Sequence, residues 1–250
     1  MLRRVRAWLA TSEVYSFNPV LRDRFVAAEA ARIPAGARVL DVGAGSCPYR
    51  ALFAHCRYES QDVMKLDDDQ LRFGGYGRID HLCDATAIPV QDASFDAVLC
   101  TEMLEHHPEP IKVVGELARI LAPGGTLILT APLGSGIHQE PYHFYGGYTP
   151  YWYQRFLADA NFESIRVVAN AGSFRSFAQE SIRFLRSSAP WNYAIPLGLR
   201  VVWFPFWMLL LPLLGIIVPF WARAIDVFDT EQRFTVGYHV TAIRGKPRAL

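Results

Sequence analysis

A mainly parallel α/β sheet with helices on both faces is the fold this sequence predicts, on three observations. Strand-like apolar runs alternate with helical patterns across residues 35–170. The first run, Val39-Leu40-Asp41-Val42, ends in the glycine turn Gly43-Ala44-Gly45, the pattern of a buried parallel strand that delivers a nucleotide pocket at its carboxyl end. After a long interruption, Gly237–Arg244 reads as a returning strand, the seventh.

The elements follow in order. Pro34-Ala35-Gly36 breaks any helix before the first strand. Gly43 and Gly45 lack Cβ, so the turn can take positive φ and approach a ligand closely, while Asp41 brings a carboxylate to the strand end. A second strand over 55–63 ends near Asp62, 17 residues past Gly45, where an acid can accept both hydroxyls of a ribose. Residues 79–83 give a third strand, followed by Asp84 and Ala85. That carboxylate can accept from an exocyclic amine, and the Ala85 backbone N–H can donate to a ring nitrogen. Phe95–Thr101 is a fourth strand, 111–121 a helix ended by Pro123-Gly124-Gly125, and 126–130 a fifth strand. Thr149-Pro150 supplies an N-cap and first-turn pair for a helix through Ala160, and 162–168 completes the sixth strand.

Six linked motifs carry a resemblance: Asp41-x-Gly43-x-Gly45, Asp62, Asp84-Ala85, residues 89–96, Leu104-Glu105-His106, and Leu121-Ala-Pro-Gly-Gly-Thr126. In order and spacing they resemble class I S-adenosylmethionine (SAM)-dependent methyltransferases, most closely the branch with the quinone-biosynthesis enzymes. The resemblance covers about 35–170 and returns at 235–245. It implies a Rossmann-like sheet, SAM as cofactor, and a cofactor site of Asp41, Gly43, Ala44, Gly45, Asp62, Asp84, Ala85, Thr101 and His106, with His106 near the cofactor's reactive end. A nicotinamide-dependent oxidoreductase is the minor alternative, since its third glycine would fall where this chain has Pro48.

Composition narrows the acceptor. Lys and Arg total 25 against 24 Asp and Glu, without the basic footprint that nucleic-acid binding requires, so a small molecule is expected. The four cysteines, at 47, 56, 83 and 100, form no Cys-x-x-Cys pair; they suit a reducing cytoplasm, and no metal site is expected. The basic residues 1–6 precede an apolar stretch too short for a signal-peptide core. After the fifth strand, residues 138–151 are rich in His and Tyr. If the acceptor is a hydroxyl, His143 and then His138 are the candidate bases.

The pattern is interrupted after residue 170. Phe174, Phe177, Ala178, Ile182 and Leu185 recur at helical spacing with arginines between them, an amphipathic basic helix. Val201–Trp221 then runs 21 residues without a charge, long enough for a membrane span. If Gly237–Arg244 pairs in the sheet, however, both ends of that run lie on one side of a bilayer. Pro205, Pro212 and Pro219 suggest a broken helical hairpin, and Trp191, Trp203, Trp207 and Trp221 an interfacial belt. The expected organisation is a SAM-binding core with an N-terminal helical cap at 1–170, a helical insertion at 171–233 and the last strand and tail at 234–250. Membrane contact through 174–222, on the inner face of the cytoplasmic membrane, is set against a lid or homodimer contact. The functional expectation is methyl transfer to an apolar or membrane-held acceptor of quinone, isoprenoid or lipid-linked type; the alternative is a non-catalytic membrane adaptor that keeps the fold.

Overall fold

A computed structural model describes residue 8 and residues 11–192 and 196–246. The basic tract at 1–6 and most of the short apolar stretch after it lie outside the described residues. The chain forms two compact units: Arg22–Val168 with the returning segment from Gly237, and the described residues up to Leu21 with Ala169–Val236. Helix α1, Phe17–Ala30, runs through the boundary between them.

The first unit is built on a seven-stranded sheet in the order β3-β2-β1-β4-β5-β7-β6. The strands are β1 Arg38–Val42, β2 Arg57–Asp62, β3 His81–Leu82, β4 Phe95–Thr101, β5 Leu121–Pro132, β6 Phe162–Ala169 and β7 Gly237–Arg244. β1 pairs in parallel with β2 and β4, which explains why Val39–Val42 is buried on both faces and reads as a continuous apolar run. β7 pairs antiparallel with β5, so the returning strand does join the sheet, between β5 and β6. Val26 and Ala30 of α1 pack with Tyr49, Phe53, Val39, Ala97, Leu99 and Ile128 in one core cluster. Since β1 lies at the switch in strand order, the crevice at its carboxyl end is where such a sheet binds ligands.

Two boundaries differ from expectation. The third strand shrinks to His81–Leu82, because only Gln61 and Asp62 of β2 pair with it. Helix α2, Pro110–Ile120, passes directly into β5 at Leu121, which pairs with Phe95. Residues 122–125 then bulge, with Gly124 at φ +83°, before Thr126 resumes the ladder against Ala97. Helix α3, Pro150–Asp159, starts as predicted, with the Thr149 hydroxyl accepting from Trp152 N at 3.3 Å.

In the second unit, helix α4, Ser173–Ser187, buries Ala178, Ser181 and Leu185 and exposes its charged side. The apolar run is one continuous helical stretch, Leu197–Phe228, made of α5 Leu197–Pro212, a π turn Leu213–Ile217, α6 Val218–Ile225 and a last 3₁₀ turn. It is long and apolar enough to cross a membrane by length and composition. The prolines therefore do not fold the run back on itself: the helix continues through Pro205 and Pro212 and widens into the π turn just before Pro219. A hairpin does exist, but its other arm is α4. Trp203 Nε1 donates to Ser188 O at 2.7 Å, Trp207 Nε1 to Leu185 O at 3.0 Å and Ser181 Oγ to Leu214 O at 3.0 Å. At its base, Gly172 N and Arg175 N donate to Asp226 and Ser173 N to Asp229. Trp203 and Trp207 thus lock the hairpin from inside, and of the four tryptophans only Trp191 and Trp221 are exposed.

Candidate active site

The glycine turn is held by the next strand. Gly43 sits at φ +70° and Gly45 at +50°, and a Cβ on Gly43 would overlap the Met103 side chain, so both conformation and space demand glycine there. Gly43 N and Ala44 N donate to Gln61 O at 2.9 and 3.0 Å. Gly45 N donates to Asp62 Oδ2 at 2.9 Å and Met64 N to Asp62 Oδ1 at 2.8 Å, so Asp62 is oriented by backbone donors at both oxygens. Gln61 Nε2 reaches Cys83 O at 2.6 Å, tying the turn to the segment that carries Asp84.

Asp41 lies beneath the turn. Its carboxyl is 1% exposed and accepts from Tyr58 Oη at 2.5 Å. Burial raises its pKa to about 7, against the lowering effect of the Tyr58 hydrogen bond. The folded chain therefore holds this proton over a range, from about pH 4 to 7, in which the unfolded chain has lost it. The associated stability is fully present below that range and declines as pH rises through it. Asp41→Asn, neutral at every pH, should be more stable than the parent at pH 8 by on the order of 3 kcal/mol and gain little near pH 4. Thermal unfolding at the two pH values checks this; equal shifts at both would refute it.

Asp84 accepts from Thr86 N and Oγ1 at 2.9 and 2.6 Å and from His107 Nε2 at 3.1 Å, all on Oδ1. Burial pushes its pKa up, but these donors hold it below the ordinary value. Ala85 beside it is buried. Thr101 ends β4, and Glu102 follows at φ +49°. Glu102 accepts from Thr130 Oγ1 at 2.9 Å and pairs with Arg22 at 3.0 Å.

The structure brings His106, His138 and His143 together. Ring centroids are 4.8 Å apart for His106 and His138, 5.7 Å for His106 and His143, and 4.5 Å for His138 and His143. The loop carrying the last two is stitched onto the segment after β4: Phe144 N and Tyr145 N donate to Glu105 O, and Tyr148 Oη donates to Leu104 O. His106 Nδ1 bonds Tyr142 O at 2.6 Å, which makes it the protonated nitrogen. Burial, with the two neighbouring imidazoles, takes its pKa down to about 4, against the hydrogen bond to Tyr142. His143 is also lowered, by burial and by His138. Ser135 Oγ donates to Gly146 O at 3.1 Å and so accepts from His143 Nε2 at 3.0 Å, which leaves Nδ1 as the basic nitrogen.

Glu105, 1% exposed, lies 3.7 Å from His106 Nε2; burial first and Glu102 second raise its pKa well above the ordinary carboxyl range. Ligand atoms of Glu105, His106 and His138 fall within 4.8 Å of one another. Tyr58, Gln61, Ser135, Glu102 and His107 are the positioning residues that sequence reasoning missed. None of the five lies within the six motifs that carry the resemblance.

Strand order and glycine turn together define the class I methyltransferase fold. Residues 40–129 match the methyltransferase domain family. The chain is 37% identical over 126 residues to the ubiquinone biosynthesis O-methyltransferase of Xanthomonas campestris pv. campestris, covering 47% of this chain and 51% of that protein. It is 36% identical over 124 residues to the demethylmenaquinone methyltransferase of Renibacterium salmoninarum, covering 48% and 51%. The chain thus spans about half the length of the curated relatives it matches. Among solved structures, the [4+2]-cyclase SpnF has a TM-score of 0.53 at 20% identity, over 90% of this chain and 81% of that one. That likeness is one of fold.

Proposed function

We propose that this chain is a SAM-dependent methyltransferase acting on a small apolar acceptor of quinone type, with its methyl-accepting oxygen beside His143. The observation that carries the reading is the gathering of three histidines, two of them with lowered pKa values, beside a segment whose Met103 packs on Gly43 of the glycine turn. The donor set fits SAM. Asp62, held by Gly45 N and Met64 N, keeps lone pairs for the two ribose hydroxyls, and Asp84 Oδ2 is free of the contacts crowding Oδ1 and can accept from an adenine amine. When bound, SAM supplies an electrophilic methyl group on a sulfonium.

The residues then align the acceptor and take its proton. His143 Nδ1 accepts the proton of the acceptor hydroxyl as the oxygen becomes nucleophilic, and Ser135 fixes the tautomer that makes this nitrogen available. His106, neutral and anchored to Tyr142 O, shapes the site near the cofactor's reactive end. The names of the two curated relatives support a quinone-type acceptor. The exposed apolar helical run supports a cytoplasmic protein held peripherally on the inner face of the membrane, where such acceptors reside.

The detergent-solubilised chain, incubated with methyl-labelled SAM and a lipid extract containing demethylated quinone precursors, should transfer label to an extractable lipid. Saturable SAM binding with no transferred label to any lipid would overturn the reading and leave the non-catalytic adaptor.

A further inference from the structure

The exposed surface of the Leu197–Phe228 run is not the one-sided stripe that a partner helix covers. At 3.6 residues per turn its exposed apolar side chains, from Leu211 round through Val201 to Leu199, sweep about 240° of the circumference. Only the narrow face with Trp207 and its neighbours packs on α4. A covering this wide fits a fluid apolar phase better than one protein surface.

Two further features point the same way. From Ser181 to Ile225 the sequence holds four arginines and no acidic residue; Arg183 pairs with Glu180 and Arg223 with Glu13, while Arg186 is exposed on α4, where its charge complements an anionic headgroup layer. Pro219 has no N–H to give to the carbonyls preceding it in the helix. Tyr15 Oη supplies Gly215 O at 3.0 Å and Ser181 Oγ supplies Leu214 O at 3.0 Å, so these acceptors are satisfied from within the protein, as a water-free surrounding requires.

The hairpin also fixes the orientation. Residues 201–222 carry no charge and would extend about 33 Å, enough to cross a bilayer. Yet α4 runs beside them with Leu185 against Trp207 and Ser181 against Leu214. An upright helix would carry the exposed Glu180–Arg183 pair of α4 toward the bilayer centre, where charge is strongly disfavoured.

We propose that the Leu197–Phe228 helix lies in the plane of an anionic membrane, sunk into one leaflet, with α4 as its water-facing roof and Arg186 among the headgroups. The proposal rests on the peripheral-membrane reading above and gives it a geometry. A groove of about 490 Å³ lined by Leu185, Arg186, Trp191, Trp207, Leu211 and Ile216 offers an acyl chain a place beneath its headgroup.

The test uses the full chain and flotation with vesicles of mixed phosphatidylglycerol and phosphatidylethanolamine. Val202→Glu and Leu209→Glu, both at exposed positions, should each lower partitioning about tenfold with unchanged circular dichroism. Arg186→Gln should lower it about fivefold on these vesicles and not on phosphatidylcholine. Bimane on Val202→Cys, Leu209→Cys or Ile217→Cys, in a Cys56→Ser, Cys83→Ser background, should be quenched at one shared shallow depth by nitroxide lipids. Quenching that deepens stepwise along the helix would overturn the in-plane geometry. A parent chain that floats together with its glutamate variants would refute the hairpin contact and leave the peripheral reading standing; a parent that never floats removes both. A self-associating chain that Leu209→Glu renders monomeric, with no flotation, would assign the surface to a second copy.

Discussion

Asp62→Ala is expected to weaken SAM binding about a hundredfold, equivalent to about 3 kcal/mol. Two losses combine. The carboxylate is the acceptor proposed for the ribose hydroxyls, and charged hydrogen bonds of this kind contribute about 1.5–3 kcal/mol. The same carboxylate accepts from Gly45 N and Met64 N, so its removal also frees the turn that must approach the ligand. Asp62→Asn should fall between parent and alanine variant, because the amide keeps one acceptor oxygen. Calorimetric titration with SAM measures both, and circular dichroism checks that the sheet, which Asp62 only terminates, is retained. Affinity unchanged in Asp62→Ala would sink the assignment of the cofactor site.

How far the sequence could be read depends on whether the signal was local. β4 and β7 were legible to the residue, because each is a short apolar run flanked by a turn or a polar residue and paired on both sides. β3 was overcalled since its length is set by a neighbour: β2 offers only Gln61 and Asp62 for pairing. The glycine turn and Asp62 were legible because positive φ and a strand-end acid leave fixed residue types. Tyr58, which engages Asp41 17 residues away, leaves none, as an aromatic residue in a strand reads simply as strand. His138 and His143 stood out by composition, but their meeting with His106 depends on how the loop bonds to Glu105 O. The apolar run was found by length alone. What could not be read was that its hairpin partner is α4, because that pairing rests on two tryptophan N–H groups that sequence spacing had assigned to a membrane interface.

His143→Ala should lower kcat by about 10²–10³-fold with SAM affinity unchanged, as expected for loss of a general base that does not hold the cofactor. The pH dependence separates this role from a structural one. A base must be unprotonated, and burial together with His138 keeps the His143 pKa below its usual 6.5. The parent's kcat should therefore stay flat through neutral pH and be lost as pH falls through a pKa under that value. Removing His138 removes one of the two influences, so His138→Ala should move the acid limb upward toward 6.5 while keeping most of the activity at pH 8. Ser135→Ala should cost about tenfold, since His143 Nε2 then loses the acceptor that selects its tautomer. Should His138→Ala abolish turnover while His143→Ala spares it, the base is His138, whose Nδ1 is held by Gly136 O and whose Nε2 then faces the acceptor's proton.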